Sequence, residues 1–265
     1  MSGLLLRLAG LWSSYGTHAT FQYRTTTPHP TRSALIGMFA AAAGRPRETA
    51  LEPHHQLPGA PRYTDLQFTI RIDRPGRLHT DFHTAGGGRP HKAGLRTSSG
   101  EYRPAKKSTF TTHRCYLTGA AFTVAVHGPT PLLHHIADHL IHPHHTPYLG
   151  RRVCLPDEPL VLSPPVADPL THLRRHVPLT TSQPPAPGQD TIPVDFLWEE
   201  PPTPARALSH YDIADEPTNF HPSRRSHLSR PLYRTTEDLP TALYAGPQPL
   251  EKLTDYILEG GTTPC

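Results

Sequence analysis

Apolar residues recur along this chain at two spacings, and the spacings assign its elements. Leu4, Leu5, Leu6 and Leu8 form a nearly unbroken apolar run that ends at Gly10, which predicts a buried strand followed by a loop. Leu66, Phe68, Ile70 and Ile72 alternate with Gln67, Thr69, Arg71 and Asp73, so a second strand is expected with one apolar and one polar face. A third is expected from Tyr116 to Val126, where Phe122, Val124 and Val126 share a face before Gly128 and Pro129 break the pattern. Pro159 to Leu162 supplies a last short strand. Helical spacing appears twice. Arg32 to Ala43 is Ala-rich, with Thr31 placed to cap its start and Gly44 just past its end. Thr130 and Pro131 open a second helix, Leu132 to Ile141, which Pro143 stops. Gly37 inside the first helix costs about 1 kcal/mol relative to Ala, which points to close approach by a neighbour or a ligand.

The resulting order, β-α-β-β-α-β, is the split βαβ arrangement of an α+β, ferredoxin-like (RRM-like) domain: an antiparallel sheet with two helices on one face and a free face able to bind RNA. Gly86 to Thr112 lacks apolar periodicity but carries Arg89, Lys92, Arg96, Arg103, Lys106 and Lys107, so it is expected to project as a basic arm or β-hairpin. Pro is dense from Ser163 onward, as in Pro184-Pro185 and Pro201-Pro202, which predicts an irregular C-terminal part. The division expected is residues 1–162 for the folded domain, 163–235 for the Pro-rich part and 236–265 for a tail.

With 33 prolines and 35% hydrophobic residues in 265 positions, long uninterrupted helices are excluded. No apolar run approaches the roughly 20 residues of a membrane span, so a soluble, unexported, cytoplasmic protein is expected. Cys115, Cys154 and Cys265 are odd in number and lack CxxC spacing, which argues against a disulfide framework or a zinc knuckle. The net charge of +4 hides a segregation. Residues 1–152 carry 18 basic against 7 acidic side chains and the remainder 8 against 15, so the front part is suited to a polyanion. Of the 26 cations 22 are arginines, whose planar fork fits phosphates and base edges, although a GC-rich genome also favours Arg codons.

Candidate chemistry is sparse. His135 and His139 stand one helical turn apart in a His-rich stretch, but no HExxH and no further ligand closes a metal site, and a solvated helix face accounts for them. No GxSxG, GxxxxGK[ST] or GxGxxG occurs, so neither a nucleophilic triad nor a nucleotide cradle is supported, and no cofactor is expected. Metal-independent RNA cleavage needs only positioned proton-transfer groups, for which His83, His113 and Tyr116 are candidates. Pro30-Thr31-Arg32-Ser33 sets a cation and hydroxyls at a helix N-terminus, an arrangement for phosphate or simply an ordinary cap. Thr146 to Arg152 is a tight turn offering Tyr148 with Arg151 and Arg152, able to stack a base and clamp phosphate, or else a surface loop with a core tyrosine. Arg114 and Tyr116 are two apart on an expected strand and point to one face, as a stacking platform requires.

Several of these segments resemble the Cas-five family of repeat-associated RNA-binding proteins, in the form found in type I-E CRISPR Cascade. The resemblance rests on Leu6-Arg7-Leu8-Ala9-Gly10, Pro30-Thr31-Arg32-Ser33 with its helix to Gly44, Asp81-Phe82-His83-Thr84, Tyr116-Leu117 leading into Ala120 to Val126, and Thr146 to Arg152 followed by Cys154. It implies a noncatalytic subunit that grips the 5′ handle of the CRISPR RNA (crRNA). A thumb at about 86–112 would pack against the adjacent backbone subunit, the large subunit would dock nearby, and target DNA would be met only through the assembled complex, with no membrane involved. Arg24, Thr31, Arg32, Ser33, His83, Arg103, Lys106, Lys107, Arg114, Tyr116, Tyr148, Arg151 and Arg152 are the expected RNA contacts. Endoribonuclease processing of repeat RNA, as in relatives from other CRISPR subtypes, is the alternative. A pure assembly adaptor, whose basic face meets an acidic protein, is a third reading.

Overall fold

The structure, a computed structural model, describes residues 2–18, 20, 22–86, 96–97, 99–102, 104, 109–181, 184–202, 209–221 and 223–260. It is a mixed α/β chain built on antiparallel sheets. The first half contributes β1 (Gly3–Ala9), β2 (Trp12–Ser13), β3 (Tyr23–Arg24), α1 (Arg32–Ala42), β4 (Gln67–Arg74), β5 (Arg77–Gly86), β6 (Thr109–Thr118), β7 (Ala121–His127) and α2 (Thr130–Ile141). The second contributes β8 (Val161–Val166), α3 (Pro169–Arg175), β9 (Thr191–Trp198), β10 (Ser209–Asn219), β11 (Ser226–Pro240) and α4 (Pro249–Leu258). Seven strands pair in the order β10-β11-β9-β4-β7-β1-β8, so the elements expected from the periodicities occupy four neighbouring places in it, β4-β7-β1-β8.

Both helices expected from the sequence form where their signals place them. Thr31 caps α1, its Oγ1 accepting from Ala34 N–H at 3.3 Å. The helix is apolar nearly all round because Leu35, Ile36 and Phe39 pack on the sheet while α2 covers its flank. Leu132, Leu133, Ile136 and Leu140 of α2 close the same core over Leu4, Leu6, Leu8, Phe122, Val124 and Val126.

Three expectations change. First, the sheet face expected to be free is covered. Leu5, Ala125, Leu162, Val194 and Phe196 on that face pack against Leu173 of α3 and against Leu253 and Tyr256 of α4. Burial of both faces explains why β1 reads as an apolar run rather than an alternation. Second, the C-terminal part is not irregular, because β9, β10 and β11 extend the main sheet, and the expected tail holds the end of β11 and α4. Pro193, Pro217 and Pro231 sit within these strands, so Pro density concealed them. Third, the strand expected at Tyr116 to Val126 is two. Gly119, at φ +64°, turns the chain out of β6 and into β7, and β6 belongs to a separate small sheet with β2, β3 and β5. β5 and β6 pair antiparallel from Arg77 opposite Thr118 to Gly86 opposite Thr109, forming the base of a ribbon. Most of the expected arm beyond Gly86, with Arg103, Lys106 and Lys107, lies outside the described residues.

Three of the polar positions of β4, Thr69, Arg71 and Asp73, are buried too. Arg7, Thr123 and Arg71 stand side by side on β1, β7 and β4, and both guanidiniums reach Asp73. Arg71 Nε donates to Asp73 at 2.7 Å, and its terminal nitrogens donate to the carbonyls of Leu173, Val177 and Pro178 at the C-terminal end of α3. Arg7 Nε donates to Glu158 at 2.7 Å. The expected polar face of this strand is thus an internal ion network beneath α3.

Candidate nucleic-acid interface

The start of α1 is fixed by residues distant in sequence. Asp215 Oδ2 accepts the backbone N–H of Arg32 at 2.7 Å, while Arg230 holds the same carboxylate through Nε at 2.7 Å and Nη2 at 3.0 Å. The Arg32 side chain is spent internally: Nη1 donates to the Leu66 carbonyl at 2.7 Å and to Glu199 at 2.8 Å, Nη2 donates to Thr64 at 2.8 Å, and Glu216 lies 2.5 Å from Nε. Burial pushes the Glu199 carboxyl upward, against the charges of Arg32 and Arg230. The expected phosphate site at this helix N-terminus is therefore already filled by a carboxylate, and Arg32 is a structural cation. The acidity of the second half is partly consumed in this way, since Asp195 pairs with Arg234 and Glu237 with Arg174.

Beside α1 the other expected residues converge. Helix α1 and the turn from Tyr148 to Arg152 bound a groove of about 1070 Å³. Thr31, Ser33, Ala34, Gly37 and Ala41 line its helical side, and Tyr148, Gly150, Arg151 and Arg152 line the side across from them. Arg24, Arg45, Arg47, Arg151, Arg152 and Arg225 all border it, and among the described lining residues there is no Asp or Glu. A cleft lined by one sign of charge between low-dielectric walls concentrates its field and attracts a polyanion.

The turn is held in a fixed shape. Ser14 N–H donates to the Leu149 carbonyl at 3.0 Å, and Leu149 N–H donates to the Cys154 carbonyl at 2.7 Å. Gly150 has φ +84°, and a Cβ there would lie 1.9 Å from the Ser14 carbonyl oxygen, so only glycine fits. Arg151 stands 4.9 Å over the Tyr116 ring and donates through Nη2 to the Arg24 carbonyl at 3.1 Å. Tyr116 is buried under Trp12, 4.8 Å away between centroids, so it supports Arg151 and is no exposed stacking group. Tyr148 is partly exposed.

Arg24 is the register partner of Arg114, and Arg114 stands opposite Asp81 on β5, with His83 following on the same face. Arg114 thus continues the line of arginines from the groove onto the ribbon, with His83 and Asp81 beside each other on the same strand. His113 faces the other way, stacked on Tyr23 at 4.6 Å. The three residues named for cleavage are therefore not assembled, because His83 and His113 lie on opposite faces and Tyr116 is buried. Sequence reading missed Arg45, Arg47 and Arg225. The pair flanking Pro46 directly after the Gly44 helix stop was a readable signal, whereas Arg225 arrives only through the β10–β11 connection.

The His-rich helix is less solvated than expected. His135 packs between His139, at 4.1 Å, and the fully buried His54, at 5.0 Å. Burial and the nearby Arg45 charge push the His54 imidazole down to about 4. Among the described residues no three His, Cys, Asp or Glu side chains gather as a metal site, and no helix is long and apolar enough to cross a membrane.

In sequence and in fold this chain is similar to known proteins. It is 32% identical over 175 residues to the CRISPR system Cascade subunit CasD of Escherichia coli (strain K12), covering 61% of this chain and 70% of that protein. A solved chain titled "CRISPR RNA-guided surveillance complex" superposes with a TM-score of 0.83 at 41% identity, covering 97% of this chain and 99% of that one. Another, titled "Crystal structure of Cas protein", gives a TM-score of 0.59 at 25% identity, covering 91% and 97%. Residues 3–233 match the family described as CRISPR-associated protein (Cas_Cas5), and on that span the chain belongs to the Cas5 family of CRISPR-associated proteins.

Proposed function

We propose that this chain is a noncatalytic subunit of a type I-E Cascade complex and that its arginine groove holds the 5′ handle of the crRNA. The observation that carries the reading is the groove itself: six arginines from four separate segments meet with no carboxylate among the described lining residues. The strand order β4-β7-β1-β8 supports a ferredoxin-like body, and the β5–β6 ribbon supports a thumb directed at the adjacent backbone subunit, with the large subunit docking nearby. RNA then lies beside α1 and along the Arg24–Arg114 strip, while the sheet faces stay internal. Thr31, Ser33, Tyr148, Arg151 and Arg152 are its contacts in the groove, with Arg24, Arg114 and His83 along the strip and Arg103, Lys106 and Lys107 on the thumb. Target DNA is met only through the assembled complex.

The dispersed positions of His83, His113 and Tyr116 favour holding RNA over cutting it. Copurification of the chain with its neighbours, followed by sequencing of the RNA crosslinked to it, is expected to return a short constant segment of repeat origin. Arg151→Ala and Arg152→Ala are each expected to flatten the dependence of log affinity on log salt by about 0.7. Wild-type affinity and slope in both variants would remove the assignment, and cleavage of repeat RNA by the isolated chain would establish the alternative.

A further inference from the structure

We propose that the bare face of α1 is a base-contact subsite, in which an unpaired nucleobase lies against Gly37 between Ala34 and Ala41. The inference rests on the reading of the groove as an RNA site and adds where in it a base sits.

Gly37 stands in the middle of a helix, where glycine is unfavourable, and neither usual justification applies. Its φ is not in the left-handed region, and a Cβ built on it meets no atom of the described residues within 4 Å. Other glycines with ordinary φ are enforced by packing: a Cβ at Gly3 would strike Pro169 at 2.4 Å and one at Gly128 would strike Leu66 at 2.6 Å. Of the two explanations for a mid-helix glycine, a close neighbour among the described residues is therefore excluded and a ligand remains. The partly exposed positions of α1 are Ala34, Gly37 and Ala41, with no polar group among them. An exposed helix face ordinarily carries charged or polar side chains. This one is a flat apolar strip, and it opens into the arginine groove.

The surroundings specify the occupant. Arg45 and Arg151 both line the groove, each guanidinium held beside an aromatic ring, that of Tyr63 at 5.9 Å and that of Tyr116 at 4.9 Å. A planar apolar surface with guanidiniums at its margins suits a ring carrying a phosphate on its sugar, which is a nucleotide. The two-sided groove admits a single strand with splayed bases, the form in which RNA exposes its rings. Gly37 is thus a specificity-determining position, since a side chain there fills the space the ring takes.

The test uses the full-length chain and a fluorescein-labelled, ten-nucleotide single-stranded RNA, together with the same oligomer made abasic throughout. Gly37→Ala is expected to raise Tm by about 2 to 4 °C, as helix propensity dictates. Gly37→Leu is expected to melt at or above the wild-type temperature yet bind the RNA about tenfold more weakly, with an unchanged salt slope because phosphate contacts persist. Gly37→Ala is expected to weaken binding by a smaller factor. The abasic oligomer is expected to bind wild type and Gly37→Leu equally.

Wild-type affinity in Gly37→Leu, with Arg151→Ala weakened, overturns the subsite and leaves the groove standing. Absence of RNA binding by wild type, or no effect of Arg151→Ala, brings down the groove reading and the subsite with it. Should Gly37→Leu melt early, Gly37→Ala decides, and unaltered binding there overturns the proposal.

Discussion

Replacing Asp73 by asparagine keeps the shape of the side chain and removes the one charge that faces both Arg7 and Arg71. The Asp73 side chain is fully buried, accepting from Arg71 at 2.7 and 3.0 Å, from the Thr123 hydroxyl at 3.2 Å and from Arg7. Breaking a buried pair from one side costs about 3 to 5 kcal/mol, because a charge is left without its counterion. Here the lower end applies. Arg7 keeps Glu158, and Arg71 keeps three carbonyl acceptors, so about 3 kcal/mol is expected. For a chain of this length the unfolding entropy is about 0.6 kcal/mol per kelvin, and the loss becomes a fall in Tm of about 5 °C.

Acid unfolding supplies an independent check. Burial raises the Asp73 pKa, but the charges of Arg71 and Arg7 and their hydrogen bonds outweigh it and hold the carboxyl below its ordinary range. A depressed folded pKa gives stability that is fully present above the unfolded value, near pH 4, and lost as pH falls through the folded value. Asp73→Asn should therefore show a weaker acid dependence below about pH 4 than wild type. Differential scanning calorimetry at neutral and acid pH measures both effects. A Tm within about 1 °C of wild type, with the same acid profile, would refute the reasoning.

Arg32→Ala is expected to lower unfolding free energy by about 3 kcal/mol in urea titrations while leaving the salt slope of RNA binding unchanged, since that cation serves Glu199 and Glu216. Gly150→Ala should destabilise by about 2 kcal/mol or more and also weaken RNA binding, because the turn carrying Arg151 must move away from Ser14. Burial pushes the Cys154 thiol up, so peptide mapping after maleimide treatment at neutral pH should find Cys154 modified far more slowly than the partly exposed Cys115.

How much of this was legible in the sequence depended on whether the signal was local. The cap at Thr31, the stop at Gly44 and the i, i+4 leucines of α2 are near-neighbour features, and both helices formed on them. The turn at Tyr148 to Arg152 was likewise readable, and it borders the groove. Arg32 misled because its chemistry suits phosphate while its position was set by Asp215 and Glu199, 183 and 167 residues onward. Arg71 and Asp73 read as a solvent face because strand alternation cannot say what a second layer will cover. Ile192, Val194, Phe196 and Trp198 do alternate, but Pro193 lies inside the run and the Pro density on either side of it predicted irregular chain instead.

The clamp that Asp215 and Arg230 place on the start of α1 bears on how the protein is made. The helix leaves the ribosome well before the side chains that lock its first turn, since Asp215 follows Arg32 by 183 residues and Arg230 comes later still. The first turn of α1 is locked only once residue 230 has been translated, so a shorter nascent or truncated polypeptide would carry the arginines of α1 and its neighbours without a fixed wall to set them on.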